Sequence, residues 1–306
     1  MIYSKIVKSI AIFLIWLCFL LFSLEICLRT LGAFYSRNQS HLLKALDNVG
    51  AFRILCIGDS FTYGVGVKSS YTYPKQLEKM LSSNFNGSFK VFNLGVPGSN
   101  SSQHLRIIEE ILDKYKEPNL IIILTGANDC WNFADSNIDK IINAKPSSAL
   151  FKLKFKSIIS KLQIYKLTKA ILINLSNDPP GVKIDIFKQI LKNENVNKDV
   201  LEKLLEFNLS QIIALARACG INVILQNYPR GDVYEGNFTQ NLASKLNIPF
   251  VDNYSAFEKE LGNKCYSELF VYDISHPNEY GYKIMAENLY KTIIKEGFID
   301  KFYKKK

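Results

Sequence analysis

Polar and apolar positions divide the chain into two regimes. Between Ile6 and Leu24 the only charged residue is Lys8, and Glu25 and Arg29 then close the apolar run. About 20 apolar residues suffice to cross a bilayer as a helix, so 6–28 is predicted to be a transmembrane signal-anchor helix with Glu25 near the headgroups. A polar connector is expected over 29–50. Beyond it, short apolar runs alternate with longer segments whose apolar residues recur three and four apart. The runs at Arg53–Ile57, Lys90–Leu94, Leu120–Thr125, Asn222–Gln226 and Pro249–Asp252 read as strands. Ile121-Ile122-Ile123-Leu124 has the unbroken apolar character of a parallel strand covered on both faces. Leu77, Met80 and Leu81 after Pro74 have helical spacing, as do Leu105, Ile108, Ile111 and Leu112. So do Leu201, Leu204, Leu205, Ile212 and Leu215, which stop before Gly220, and a last helix is expected from Tyr280 to Ile294. Alternation of this kind predicts a parallel sheet with helices on both faces, within one domain over 51–306. One interval, about 133–199, is far longer than a helical crossover needs and is read as an insertion.

Three strand ends carry residues with chemical potential. Gly58-Asp59-Ser60-Phe61-Thr62-Tyr63-Gly64 follows the first strand, Asn93-Leu94-Gly95-Val96-Pro97-Gly98 the second, and Gly126-Ala127-Asn128-Asp129 the third. Near the end of the chain stands Asp273-Ile274-Ser275-His276-Pro277. A serine, an imidazole base and a carboxylate to orient that base are the minimum for acyl transfer through a covalent intermediate. Of the three histidines, His41 lies in the connector and His104 opens a helix, which leaves His276 as the base and Asp273 as its partner. Each block alone could be a turn or a helix cap. Asp59 is read as structural and Gly95 as serving a turn, while Tyr63, Trp131, Asn132 and Tyr228 are candidate pocket linings.

The four blocks, in this order and spacing over roughly Phe52 to Lys291, resemble the SGNH hydrolases, also called the GDSL-like lipases and esterases. The resemblance implies a flavodoxin-like three-layer α/β/α sandwich with a five-stranded parallel sheet in the order 2-1-3-4-5. In that order the first three strands are neighbours and their loops converge on one spot. It further implies catalytic Ser60, Asp273 and His276, with an oxyanion hole made by the Ser60 N–H, the Gly98 N–H and the Asn128 side-chain amide. The activity implied is hydrolysis of carboxylic esters, of acetylated-glycan or lipid type. The alternatives are a polysaccharide O-acyltransferase using the same triad and a non-catalytic glycan-binding protein of the same fold.

Composition refines this picture. The formal charge is +10, with lysines gathered at Lys152–Lys169 and in the tail from Lys301 to Lys306. Such stretches suit anionic lipid or an acidic polymer, although a solvated surface is the preferred reading. No nucleic-acid-binding motif occurs, so nucleic acid is not an expected partner. Lys5 and Lys8 ahead of the apolar run place the amino terminus in the cytoplasm and the domain outside it. No Ala-x-Ala pattern ends the run, which argues against a cleaved signal peptide. Of six cysteines, Cys18 and Cys27 fall in the membrane segment, Cys56 on a strand and Cys130 beside Asn128. Cys219 and Cys265 are the pair that an oxidising compartment could join. No metal-ligand spacing appears, and neither a metal nor a cofactor is expected.

Overall fold

In a computed structural model of the chain, the described residues are 2–43, 50–129, 162–165, 167–168, 198–231, 237–262, 265–271, 275–300 and 302. They fall in two compact units, residues 1–41 with 135–178 and residues 42–134 with 179–306.

Helix α1, Ile2–Leu43, belongs to the first unit as far as His41. Its segment Val7–Leu31, with a mean hydropathy of 2.6, is long and apolar enough to cross a membrane, a test that a signal sequence also passes. The helix continues to Leu43 through most of the stretch expected as a connector. Glu25 is the one carboxylate inside the apolar segment, and it is compensated. Arg29 Nε donates to it over 2.7 Å, and the backbone N–H groups of Gln163 and Ile164 donate over 3.1 Å each. An uncompensated carboxylate in such a run would be costly in lipid. Apart from 162–165 and 167–168, the expected insertion at 133–199 lies outside the described residues up to Asn197, as do Cys130, Trp131 and Asn132.

The second unit is the sheet and its helices. Strands β1 (Phe52–Gly58), β2 (Phe89–Gly95), β3 (Leu120–Leu124), β4 (Asn222–Gln226) and β5 (Phe250–Val251) are all parallel, in the order β2-β1-β3-β4-β5. This is the order expected from the sequence motifs. Because side chains alternate along a strand, β1 and β3 each feed two cores. Ile54, Cys56, Leu120, Ile122 and Leu124 pack on one face, and Leu55, Ile57, Ile121 and Ile123 on the other. Helices α3 (Tyr73–Asn84), α7 (Asn253–Leu261) and α8 (Glu279–Lys295) cover the first face; α4 (Ser101–Lys114), α5 (Lys198–Ala218) and α6 (Phe238–Lys245) cover the second. The one-turn helix α2, Ser60–Tyr63, follows β1 directly.

The apolar stripes predicted helices α3, α4, α5 and α8 but not the short α6 and α7. Helix α7 is announced by Asp252, whose side chain caps it by accepting from Ser255 N. Gly95 departs from its expected role. A Cβ there would lie 2.0 Å from Tyr63 N, so glycine is required for β2 to pass against the backbone of α2. Gly95→Ala is accordingly expected to cost about 3 kcal/mol of stability, because the obstacle is main chain and cannot rotate away. Urea unfolding of parent and variant checks this, and an unchanged midpoint would contradict it.

Candidate active site

Ser60 stands where β1 ends and α2 begins. Asp59 caps that helix, its Oδ1 accepting from Phe61 N at 3.0 Å, and half-buried Ser60 thereby faces the space beyond the sheet's carboxyl edge. On the opposite side His276 is held by its own loop. The His276 carbonyl accepts from Val271 N at 2.9 Å, and Pro277 forms a bridge with Phe270. Asn278 then caps α8, accepting from Tyr280 N and Gly281 N. The imidazole lies over Phe61 at 4.6 Å between ring centroids. Its Nε2 is 2.8 Å from Ser60 Oγ. Two residues 216 apart in sequence are thus in hydrogen-bond contact. Asp273 lies outside the described residues.

The loop after β2 closes as a tight turn, with Ser99 N donating to Val96 O at 3.0 Å. Gly98 has φ +77 at the third position and Pro97 fills the second, which is the signature of a type II turn. The loop after β3 brings in Asn128. Its Nδ2 donates to Ser99 O at 3.0 Å and to Asp59 Oδ2 at 3.3 Å, so the three loops are joined through this one amide.

Beneath them lies a buried polar layer. Tyr228 OH donates to Asp59 Oδ2 at 2.8 Å and accepts from Ala127 N at 3.2 Å. Burial holds the Tyr228 phenol well above its ordinary pKa, and the Asp59 charge reinforces this, so it remains a donor. Burial also pushes the Asp59 carboxyl up to about 6, against the opposing hydrogen bonds from Phe61 N–H and Tyr228 OH and the charge of His276. Asp129 turns the other way. It accepts from Ser101 Oγ at 2.6 Å and from Ser101 N, and Asn208 Nδ2 donates to Ser101 Oγ at 2.7 Å. Burial raises Asp129 to about 6 as well, opposed by the Ser101 donors and reinforced by Asp59.

A carboxyl whose folded-state pKa is raised keeps its proton when the unfolded chain has lost it. Its contribution is therefore complete below the ordinary carboxyl range and is lost as pH rises towards about 6. Between pH 4 and 7 the parent should lose stability relative to Asp129→Asn, on the order of 3 kcal/mol. Urea titrations of both proteins across that range check the sign, and a parent that gains relative to the variant would contradict it.

Residues 56–284 match the GDSL-like Lipase/Acylhydrolase family. The chain belongs to this family. Membership makes it a serine hydrolase acting on ester bonds, with the SGNH hydrolase fold. None of the curated proteins compared with the chain matches it. Among solved structures, a lipolytic G-D-S-L family protein from Veillonella parvula is 17% identical, with 80% of this chain and 99% of that one covered and a TM-score of 0.47. An acetylxylan esterase from Geobacillus stearothermophilus is 18% identical, with 80% and 95% covered and a TM-score of 0.47. A psychrotrophic esterase from Pseudoalteromonas sp. is 17% identical, with 80% and 98% covered and a TM-score of 0.47.

The structure therefore gathers Ser60, His276 and Asn128, and places Gly98 in the turn whose last residue, Ser99, bonds to Asn128. Sequence reasoning put Tyr228 in the pocket lining, but its place is under the site, bound to Asp59. Tyr63 is exposed at 41%. The roles of Ser99 and Asp129 as ties between loops carry no sequence signal, since each is an ordinary polar residue until the strand order is known. Among the described residues no group of His, Cys, Asp and Glu could hold a metal ion. Cys219 and Cys265 are both exposed free thiols.

Proposed function

We propose that Ser60 is the nucleophile of a membrane-held esterase whose catalytic domain works outside the cytoplasm. The observation that carries this is the 2.8 Å approach of His276 Nε2 to Ser60 Oγ. For Nε2 to accept the hydroxyl proton, the ring must carry its own proton on Nδ1, and Asp273 is the proposed acceptor for that N–H. As Oγ attacks the ester carbonyl, the Ser60 proton passes to His276 and the carbonyl oxygen becomes an oxyanion. The Ser60 N–H, the Gly98 N–H and the Asn128 amide are the proposed donors to it. Collapse breaks the bond to the alcohol, which leaves with the His276 proton. Water then repeats the sequence on the acyl-enzyme and frees the acid. The anchor is the apolar segment Val7–Leu31, with Lys5 and Lys8 on the cytoplasmic side. The proposed substrates are carboxylic esters of acetylated glycans or lipids.

The test is hydrolysis of nitrophenyl acetate and of long-chain nitrophenyl esters by the full chain in detergent. Turnover of the acetyl ester with weak use of long chains would assign acetylated substrates, and the reverse would assign lipid esters. Absence of release with water, together with acyl transfer to an added glycan hydroxyl, would overturn the hydrolase and leave a transferase.

A further inference from the structure

His104 is the one histidine of the catalytic unit outside the proposed triad, and it is completely buried. It sits in the first turn of α4, whose capping box is formed by Asn100 and Gln103. Both ring nitrogens are engaged. Nε2 is 2.6 Å from Ser99 Oγ and Nδ1 is 2.7 Å from Thr125 Oγ1. Ser99 Oγ also lies 2.7 Å from Val96 O and 3.2 Å from Gly58 O. Carbonyl oxygens only accept, so the Ser99 hydroxyl proton goes to a carbonyl and the oxygen must accept from His104 Nε2–H. Nδ1 is then unprotonated and accepts from the Thr125 hydroxyl. One neutral imidazole of fixed tautomer thereby joins the carboxyl ends of all three central strands: Gly58 and Val96 through Ser99, and Thr125 directly. Burial pulls its pKa down to about 4, in keeping with a ring that stays neutral.

These three strand ends carry Ser60, Gly98 and Asn128. Ser99 is the point of convergence, since its hydroxyl meets His104 while its carbonyl accepts the Asn128 amide. We infer that His104 is a positioning residue for the oxyanion donors, fixing through Ser99 both the turn that presents Gly98 and the carbonyl that orients Asn128. The inference rests on the esterase reading of the site. It assigns His104 no contact with substrate and no proton transfer. Its effect falls on the transition state, because a misaimed donor weakens only the bond to the developing charge. Pure packing would predict loss of stability without a selective loss of turnover.

The experiment compares His104→Leu, His104→Gln and Ser99→Ala with the parent, all as full chains in detergent. Nitrophenyl acetate gives kcat and KM, and an alkylboronic acid, which forms a tetrahedral adduct on a serine oxygen, reports the oxyanion site. His104→Leu and Ser99→Ala are expected to lower kcat roughly 10- to 100-fold with KM within about threefold, and to weaken the boronate by a similar factor. His104→Gln, which can still donate to Ser99, is expected to recover most of kcat. Circular dichroism establishes that each variant is folded. Equal kcat in parent and His104→Leu, or a fall in kcat with unchanged boronate affinity, would overturn the inference. Should the parent itself fail to turn over ester, the esterase reading fails separately. NMR of 15N-labelled glycine and asparagine then decides, with displaced Gly98 and Asn128 side-chain signals expected in His104→Leu and unmoved signals overturning the positioning role.

Discussion

Ser60→Ala is expected to abolish turnover of nitrophenyl acetate, lowering kcat about ten-thousandfold or more while leaving the protein folded. The size follows from chemistry. Without Oγ no acyl-enzyme forms, and the remaining route, direct attack by water, retains only the stabilisation supplied by the donors around the carbonyl. The fold should tolerate the change. Ser60 is half-buried at the first position of α2, the cap of that helix belongs to Asp59, and among the described residues the side-chain bond removed is that to His276. Melting temperature within a few degrees of the parent, measured alongside turnover, separates the chemical effect from unfolding. Residual activity within tenfold of the parent would mean that another group attacks the ester.

The second large effect is expected at Asn128. Asn128→Ala should reduce kcat roughly a hundred- to a thousandfold, the range found when one side-chain donor to an oxyanion is removed. The amide has two hydrogens, and its two acceptors differ. Ser99 O at 3.0 Å is a good bond, whereas Asp59 Oδ2 at 3.3 Å is long and is also served by Tyr228 OH at 2.8 Å. The longer bond is the one that an oxyanion can replace, since Tyr228 continues to satisfy Asp59 when the amide turns away. Asn128→Asp should be at least as damaging, because it places an acceptor, and near neutral pH a second negative charge, where a donor is required. KM for the acetyl ester should change little in either variant. A proportionate rise in KM with kcat preserved would place Asn128 in ground-state binding instead.

Much of the fold was legible in the sequence because its strands are covered on both faces. Runs such as Ile121-Ile122-Ile123-Leu124 have no polar side to blur them, and all five strands fall within one residue of their expected limits. Strand β5 is shorter than expected, two residues against four, because Asp252 leaves the sheet to cap α7 and also accepts from Asn227. The strand order was legible only through the four motif blocks. Once β1, β2 and β3 are neighbours, the convergence of Ser60, Gly98 and Asn128 follows from where each strand ends.

What was not legible is the tertiary bonding beneath these loops. Tyr228 reaches Asp59 across 169 residues, and Asn208 reaches Ser101 across 107. Nothing in a stretch of sequence marks a tyrosine or an asparagine for such a partner. His104 is the clearest case, since on an amphipathic helix it occupies an inward position that any core residue might take. Only the structure places hydroxyls on both of its nitrogens. Glycine near the end of a strand commonly serves a turn, whereas Gly95 lets two stretches of backbone pass.

The most direct test of the nucleophile is to treat the full chain with a fluorophosphonate and locate the adduct by peptide mass mapping. A single adduct on Ser60, absent when His276 is replaced by alanine, is the expected result. It would establish that this serine attacks and that this imidazole activates it. An unmodified Ser60 in folded protein, or an adduct on a different residue, would contradict the assignment of both.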